Sequence, residues 1–203
     1  MKKDATIGIT GGIGSGKSVV SRILRCNGYT VYDCDTEAKY LMNHNQDIKI
    51  LLEEKLGKDI YHNGELNRRK LSQELFCSNL IRDYVNEVVH KEVRKDILQK
   101  RDETKGLFFI ESAIISTGGI AEKCNEIWII TSPYELRIQR VKTRDNFSEE
   151  EIIRRIESQK GELEALDKRK VIFIENDEYH PILSEILFLI NKNIHNQTYK
   201  IIC

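Results

Sequence analysis

Residues 8–20 read GITGGIGSGKSVV, and the prediction of the fold starts from this stretch. Four glycines fall within residues 11–16, and Lys17 and Ser18 follow them directly. Glycine is a poor choice inside a helix or a strand, because it loses more conformational freedom on folding than any other residue. The cluster therefore predicts a loop whose backbone is shaped around a ligand. The competing interpretation is a glycine-rich turn that binds nothing.

The residues on either side of the glycines favour a ligand. Residues 5–10 form an apolar run typical of a buried strand, and residues 17–26 have the pattern of a helix that ends at Asn27-Gly28. Residues 11–18 match G-x-x-x-x-G-K-[ST] in full, between that strand and that helix. This motif holds nucleoside triphosphates, because backbone N–H groups at a helix N-terminus can surround phosphates only where no Cβ blocks them.

Two side chains of the motif complete the phosphate chemistry. Lys17 can bridge the β- and γ-phosphates, and Ser18 can place its hydroxyl on Mg²⁺. The chain contains no Asn-Lys-x-Asp stretch of the kind that recognises guanine in GTPases. We therefore expect ATP and Mg²⁺ as the ligands of this loop.

The rest of the chain alternates between strand and helix patterns. Further strands are predicted over residues 29–33, 126–131 and 171–175, and residues 107–115 are predicted to contain a strand and the exit from it. A long helical stretch is predicted over residues 67–104, because its apolar positions recur every three or four residues. Strands that alternate with helices predict an α/β fold, here a five-stranded parallel sheet with helices on both faces.

The composition limits the class of protein. Lys plus Arg and Asp plus Glu both number 32 among 203 residues, so the net charge gives no reason to expect a nucleic-acid partner. No apolar run approaches the roughly 18 residues that cross a bilayer, so no membrane partner is expected. The five cysteines are scattered and form no Cys-x-x-Cys pair, which argues against disulfides and zinc. We expect a cytoplasmic protein.

Carboxylates follow two of the predicted strands. Asp33 and Asp35 come after the second strand, and Glu111 comes after the third. Ligands of a parallel sheet bind beyond the carboxyl ends of its strands, so these groups are candidates for chemistry on a bound phosphate. One carboxylate can orient or deprotonate an attacking hydroxyl while the other holds a water of the Mg²⁺ shell. Alternatively, Asp35 only caps the helix that follows and Asp33 only forms a turn.

A predicted helix after residue 132 carries a row of arginines. Ser132, Pro133 and Glu135 together predict its start, with Ser132 as the cap. Arg137, Arg140 and Arg144 then recur at spacings of three and four, so they share one helical face. Such a face is often only solvated, but phosphoryl transfer needs cations aimed at the transferred group.

A second helix follows a short polar connector. Residues 145–147 lead to a capping box at Ser148 and Glu151, and the helix behind it carries Arg154, Arg155 and Gln159. Two helices with arginines near their junction are typical of a lid that closes over a substrate.

Taken together, these segments resemble the dephospho-coenzyme A kinase family over most of the chain. The matching segments are residues 10–18, Asp33-Cys34-Asp35, residues 63–68, residues 85–90 with His90, the lid residues Arg140, Arg144, Arg155, Ile156 and Gln159, and Asn176-Asp177. The chain departs from the family pattern at Lys91, at Glu178 in place of a glycine, and before the last strand. Thr117 stands where the family has a glutamate, and Glu111 lies at the preceding acidic position.

The resemblance implies a reaction and an architecture. The reaction is transfer of the ATP γ-phosphate, with Mg²⁺, to the ribose 3′-hydroxyl of dephospho-coenzyme A, the last step of coenzyme A synthesis. The architecture is a three-layer P-loop kinase fold in one domain, residues 1–203. Its parts are a core (1–35, 106–137 and 166–203), a helical acceptor-binding region (36–105) and a lid (138–165). ATP and dephospho-coenzyme A are the expected partners, and a monomer is favoured.

The resemblance and the motifs together assign roles to individual residues. Asp35 is the predicted base, Asp33 is the second candidate, and Lys17 and Arg140 act on the transferred phosphate. The predicted ATP-binding residues are Gly12, Ile13, Gly14, Ser15, Gly16, Lys17, Ser18, Val19, Arg144 and Asn176. Acceptor binding is assigned to Asp35, Arg68, His90 and Glu111, and metal binding to Ser18 and Asp33.

Two other functions compete with this prediction. One is a different small-molecule P-loop kinase that acts on a nucleotide or a sugar-like acceptor, since the P-loop does not recognise the acceptor. The other is a nucleotide-dependent switch that hydrolyses slowly and binds a protein. An arginine lid favours transfer over hydrolysis, because a closed lid excludes water from the γ-phosphate.

Overall fold

The computed structural model describes residues 4–145 and 147–199. Among these residues the strands are β1 (Ala5–Thr10), β2 (Thr30–Asp33), β3 (Tyr61–His62), β4 (Glu65–Leu66), β5 (Leu107–Glu111), β6 (Glu126–Thr131) and β7 (Val171–Glu175). The helices are α1 (Lys17–Cys26), α2 (Cys34–His44), α3 (Gln46–Leu56), α4 (Arg68–Cys77), α5 (Asn79–Glu103), α6 (Tyr134–Asp145), α7 (Glu149–Ser158), α8 (Lys160–Glu164) and α9 (Ile182–Tyr199).

Five strands form the predicted parallel sheet, in the order β2-β5-β1-β6-β7. β1 lies at the centre, where Gly8 pairs in register with Ile110 of β5 and Ile127 of β6. All six residues of β1 are buried, as expected for a strand covered on both sides of the sheet. The carboxyl ends of these strands therefore meet at one edge of the sheet, beyond Thr10.

The main core joins the sheet to two helices. Ile7 and Ile9 of β1 and Trp128 of β6 are fully buried in one cluster, together with Leu24 of α1 and Ile186 of α9. Fully burying an aliphatic side chain of this size contributes about 1.5–3 kcal/mol relative to leaving it exposed. The cluster therefore fixes α1, and with it the loop that precedes α1, against the end of β1.

The chain divides into two compact units. One comprises the described residues up to Tyr32 and from Glu103 onward, and the other comprises Asp33–Asp102. The second unit contains α2 to α5 and the hairpin of β3 and β4. Asn63 and Gly64 turn this hairpin with φ values of 52° and 86°, which is the pair of left-handed residues that a two-residue hairpin requires.

Two local predictions need correction. The second strand begins at Thr30 rather than residue 29. The third strand ends at Glu111, within the range predicted for the strand and its exit. The helix predicted over residues 67–104 is two helices, because Ser78 is extended (φ −145°) and its Oγ accepts a hydrogen bond from the amide of Ile81. Leu80, which follows this break, is 83% exposed although it is apolar.

None of the four cysteines in the described residues forms a disulfide. Cys26 and Cys77 are exposed, whereas Cys34 and Cys124 are buried. Burial raises the pKa of the Cys124 thiol to about 12.

No described helix has the length and apolar character needed to traverse a bilayer.

Candidate active site

The glycine-rich loop of residues 11–16 connects β1 to α1, as predicted. Gly16 precedes α1 in a left-handed conformation (φ 97°), and a Cβ at this position would lie 2.0 Å from the side-chain nitrogen of Asn176. A Cβ on Gly12 would lie 2.1 Å from a guanidinium nitrogen of Arg137. A side chain at either position would therefore displace these groups, and at Gly16 the left-handed conformation also disfavours other residues.

Lys17 and Ser18 form the first turn of α1. The Lys17 amine donates hydrogen bonds to the carbonyl oxygens of Gly11 (2.7 Å) and Gly12 (3.4 Å), so the cation lies over the loop. Ser18 and Val19 are exposed on the same turn. The amides that open a helix have no intrahelical partner and carry partial positive charge, which makes this turn suited to an anion.

Three side chains from distant parts of the sequence hold the loop. Arg137 Nε of α6 donates to the carbonyl of Ile13 (2.9 Å), and the Ile13 amide donates to Gln159 Oε1 (2.7 Å). Asn176, directly after β7, donates from Nδ2 to the carbonyl of Ser15 (2.9 Å). Burial lowers the pKa of the Arg137 guanidinium. The geometry of the loop is therefore set by residues more than a hundred positions away.

Arg137 and Gln159 are additions to the predicted site. The sequence placed Arg137 on the arginine face and Gln159 in the lid pattern, but it gave neither a role at the phosphate loop. Ile13 also packs against a small apolar cluster of α6 and α7, which includes Val141, Ile152 and Ile156. Both helices of the predicted lid thus contact the loop.

The structure brings Arg140 to the phosphate loop. Its Nη1 lies 3.5 Å from the carbonyl oxygen of Gly14, 3.1 Å from Ser132 Oγ and 3.2 Å from the carbonyl oxygen of Asn176. Its Nη2 lies 3.4 Å from a carboxylate oxygen of Glu178. Ser132 was predicted to cap α6, but the hydrogen bond that its hydroxyl makes here is to Arg140.

Arg144 has a different environment, although it lies on the same helix. Its Nε and Nη2 donate to the two carboxylate oxygens of the neighbouring Asp145, at 2.7 and 2.6 Å. This bidentate pair raises the pKa of Arg144 and lowers that of Asp145. Arg144 is exposed, and its contact with ATP stays a prediction.

The acidic segment after β2 is organised locally. Asp33 Oδ1 accepts hydrogen bonds from the amides of Asp35 and Thr36, both at 3.1 Å, so Asp33 is the N-cap of α2. The alternative interpretation gave the cap to Asp35, and that assignment is wrong. Asp35 lies in the first turn of α2, where its carboxylate is favourably placed relative to the helix dipole.

The predicted acceptor residues lie on three different elements. Arg68 opens α4, His90 is half-buried on α5, and Glu111 ends β5. Arg68 lines a cavity of about 260 Å³ within the second compact unit. The cavity combines apolar and cationic groups, since its lining also includes Lys39, Met42, Leu66, Leu71 and Leu75.

The residues of the loop fit a nucleotide with its metal ion. Ser15 Oγ is buried in the loop, and it has no hydrogen-bond partner within the described part of the chain. Ser18 and Asp33 offer the oxygen ligands that Mg²⁺ prefers. A second group, Glu175, Asp177 and His180, has ligand atoms within 4.8 Å of one another after β7, but Asp177 Oδ1 already accepts from the amides of Tyr179 and His180.

Comparison with known proteins gives a consistent result. The sequence profile of the dephospho-CoA kinase family matches residues 5–181. The chain is 43% identical over 158 residues to the dephospho-CoA kinase of Porphyromonas gingivalis, covering 77% of this chain and 78% of that protein. It is 37% identical over 186 residues to that of Bacteroides fragilis, covering 91% and 90%. A solved dephospho-CoA kinase from Campylobacter jejuni shares the fold, with a TM-score of 0.69, 21% identity and coverage of 96% and 99%.

Proposed function

The chain belongs to the dephospho-CoA kinase family, so it phosphorylates dephospho-CoA with ATP in the last step of coenzyme A synthesis, and we propose how its residues divide this work. The acceptor atom is the ribose 3′-hydroxyl. The observation that carries the proposal is the convergence of Lys17 and Arg140 on the loop of residues 11–16. The Lys17 amine lies 2.7 Å from the Gly11 carbonyl, and Arg140 Nη1 lies 3.5 Å from that of Gly14.

Lys17 and Arg140 stabilise the charge on the transferred phosphate. Phosphoryl transfer spreads negative charge over the equatorial oxygens, and fixed cations lower the barrier because they need no reorganisation. Arg137 and Asn176 support these cations by holding the backbone of Ile13 and Ser15. Ser18 and Asp33 are the residues that would hold Mg²⁺, which would neutralise negative charge on the phosphates during transfer.

Asp35 takes the proton from the acceptor hydroxyl. A hydroxyl is a weak nucleophile, and a carboxylate within hydrogen-bond reach can orient it and accept its proton. Because Asp33 caps α2 with its Oδ1, Asp35 is the carboxylate of this segment that has no capping role in the structure. Arg68, His90 and Glu111 bind the acceptor, and Arg68 brings a cation to the apolar cavity that suits a partly apolar phosphorylated molecule.

Arg144 contributes as a mobile cation. It contacts ATP after exchanging the carboxylate of Asp145 for phosphate oxygens, which accept the same bidentate pair of N–H groups. The chain works as a core (1–35, 106–137 and 166–203), an acceptor-binding region (36–105) and a lid (138–165). It acts as a monomer in the cytoplasm, a location that the four free cysteines of the described residues support.

One assay tests the proposed function. ATP consumption is measured with Mg²⁺ and dephospho-CoA, without acceptor, and with a panel of nucleotides and sugar-like alcohols. We expect one ADP for each dephospho-CoA consumed, a product phosphorylated at the ribose 3′ position by NMR, and loss of turnover after removal of Mg²⁺. Equal ATP consumption without acceptor would indicate a hydrolytic switch. Faster turnover of another alcohol would identify a different kinase.

A further inference from the structure

A buried carboxylate of the lid has no role in the function described so far. Glu162 of α8 is 8% exposed, and Glu92 is the other acidic residue buried in the described part of the chain. The Oε2 atom of Glu162 accepts a hydrogen bond from the amide of Ser116 (3.0 Å), and both carboxylate oxygens of Glu162 lie 3.3 Å from the amide nitrogen of Thr117. The Thr117 hydroxyl donates to its Oε1.

The partners of this carboxylate are all donors. An ionised carboxylate only accepts hydrogen bonds, so two amides and a hydroxyl match it, whereas a glutamine side chain would turn an NH₂ group towards one of them. Backbone amides buried without a partner are rare and costly in proteins. Glu162 is therefore a specific acceptor for the backbone of residues 116–117.

The segment that Glu162 holds is the loop that leaves β5. The Ser112 amide donates to the carbonyl of Ile9 (3.0 Å), which fixes the start of the loop to β1. Ile115 is fully buried and covers Gly8, where a Cβ would lie 2.4 Å from its Cδ1. β1 thus anchors one side of the loop, and Glu162 anchors the other. Glu111, the predicted acceptor-binding residue at the end of β5, immediately precedes this loop.

The same piece of the lid also contacts the phosphate loop. Gln159 lies three residues before Glu162, and its Oε1 accepts the hydrogen bond from the Ile13 amide at 2.7 Å. Gln159 directly precedes α8, and its carbonyl oxygen accepts a hydrogen bond from the Glu162 amide at 3.3 Å. One short segment, residues 159–162, therefore bridges the phosphate loop and the loop after β5.

We propose that Glu162 is a positioning residue for the kinase reaction: it fixes the loop after β5, and through it Glu111, relative to the phosphate loop. The presence of Thr117 is then explained, because its hydroxyl and amide complete the donor set for a carboxylate that comes from another helix. This inference rests on the proposed function, since it concerns the binding of the acceptor.

The test compares four variants with the wild-type enzyme. Glu162→Ala removes the carboxylate, Glu162→Gln keeps its shape, and Thr117→Glu places a second carboxylate beside the first. Glu164→Ala is the matched control, because Glu164 is an exposed acidic residue on the same helix. The readouts are kcat, the KM for dephospho-CoA, the Kd for ATP, and hydrogen exchange at the amides of residues 116 and 117.

We expect Glu162→Ala to raise the KM for dephospho-CoA by about tenfold, the usual effect of losing a hydrogen bond to a charged group. The Kd for ATP should change less than twofold, and exchange at the two amides should accelerate. Glu162→Gln and Thr117→Glu should show a smaller form of the same defect. Glu164→Ala should match the wild type.

Each other outcome is informative. A merely structural Glu162 would lower kcat in proportion to the folded fraction and leave the KM for dephospho-CoA unchanged, which overturns the inference. Faster hydrogen exchange at residues 116 and 117 without any change in the KM for dephospho-CoA would show that Glu162 orders the loop without serving acceptor binding. That result would also overturn the inference. If the wild-type enzyme does not turn over dephospho-CoA at all, the proposed function fails first, and the inference fails with it.

Discussion

The phosphate loop (residues 11–18) and the acidic segment (residues 33–36) are stabilised in opposite ways. Side chains of Arg137, Gln159 and Asn176, all distant in sequence, bond to the backbone of the loop. The acidic segment makes its own cap, with Asp33 bonded to amides two and three residues ahead. The loop therefore depends on the packing of the lid helices and β7, whereas the acidic segment depends on its own sequence.

This difference separates two kinds of sensitivity to substitution. A change in the loop disturbs contacts with several elements, so structural and chemical effects appear together. A change in the acidic segment that preserves the cap alters chemistry alone, because Asn caps a helix about as well as Asp. The following variants use that contrast, in order of decreasing expected effect.

Lys17→Ala tests the chemical function of the loop. We expect kcat to fall by on the order of a hundredfold or more, because a fixed cation at the transferred phosphate is lost. Steady-state kinetics with saturating ATP and dephospho-CoA measures the effect, and circular dichroism checks the fold. Lys142→Ala, an exposed lysine of α6 paired with Glu149, is the matched control. Near-normal turnover of a folded Lys17→Ala enzyme would remove Lys17 from the mechanism.

Asp35→Asn tests the chemistry of the acidic segment. Turnover should fall roughly a hundredfold, the usual contribution of general-base catalysis, while ATP binding and stability change little. Asp33→Asn should keep the cap and instead raise the Mg²⁺ concentration needed for half-maximal rate. The two roles are exchanged if Asp33→Asn abolishes transfer and Asp35→Asn does not. Normal rates for both variants would leave this segment with a capping role only.

Arg140→Ala and Arg144→Ala compare two cations of α6. Arg140 already contacts the loop, whereas Arg144 is paired with Asp145. We expect Arg140→Ala to lower kcat by about ten- to a hundredfold with less effect on the Kd for ATP, and Arg144→Ala to lower it less. If only the affinity for ATP fell in either variant, that arginine would bind the ground state and not the transition state.

A comparison of Gly16→Ala with Gly28→Ala tests how closely Asn176 packs against the phosphate loop. Both glycines are left-handed, but a Cβ would lie 2.0 Å from Asn176 Nδ2 at Gly16 and meet nothing within 4 Å at Gly28. Gly28→Ala should lower the free energy of unfolding by about 1–2 kcal/mol. Gly16→Ala should lower it by about 1 kcal/mol more, because the Asn176 hydrogen bond is lost. Equal losses in urea unfolding would contradict the close packing of the loop.

The smallest expected effect is the pH dependence of stability that comes from the pair of Asp177 and His180. Like the acidic segment, this pair is stabilised by residues close to it in sequence. The pKa of Asp177 is lowered to about 2 by hydrogen bonds from the His180 amide, the Tyr179 amide and the His180 ring. In turn, Asp177 raises the pKa of His180 above 6.5. The His180 contribution to stability is fully present below pH 6.5 and disappears as pH rises through the raised pKa. The Asp177 contribution is lost as pH falls through about 2.

The ring resonances of His180 report this pair directly in an NMR titration. In Asp177→Asn the amide side chain can still accept the backbone hydrogen bonds, so the loop should persist while the pKa of His180 returns towards 6.5. An unchanged titration of His180 in that variant would show that another group raises its pKa.

The contrast between local and long-range stabilisation also explains which features of the fold and the site could be predicted from the sequence. The loop between β1 and α1, the five-stranded sheet and the cap at Ser148 follow from local patterns, and the structure confirms them. The break at Ser78 escaped prediction because the helical apolar pattern continues across it. The roles of Arg137, Gln159 and Glu162 escaped it as well, since each depends on how the lid helices pack against distant loops, which residue spacing does not encode.

The distribution of the thiols makes the native chain convenient for spectroscopy. Alkylating dyes react with thiolates, so the buried Cys34 and Cys124, the latter with a pKa near 12, should stay unlabelled while Cys26 and Cys77 react. These two lie in different compact units, on α1 and α4. After Cys203→Ser, a donor and an acceptor fluorophore would occupy one handle on each unit. Both units could then be labelled at native cysteines without any engineered attachment point.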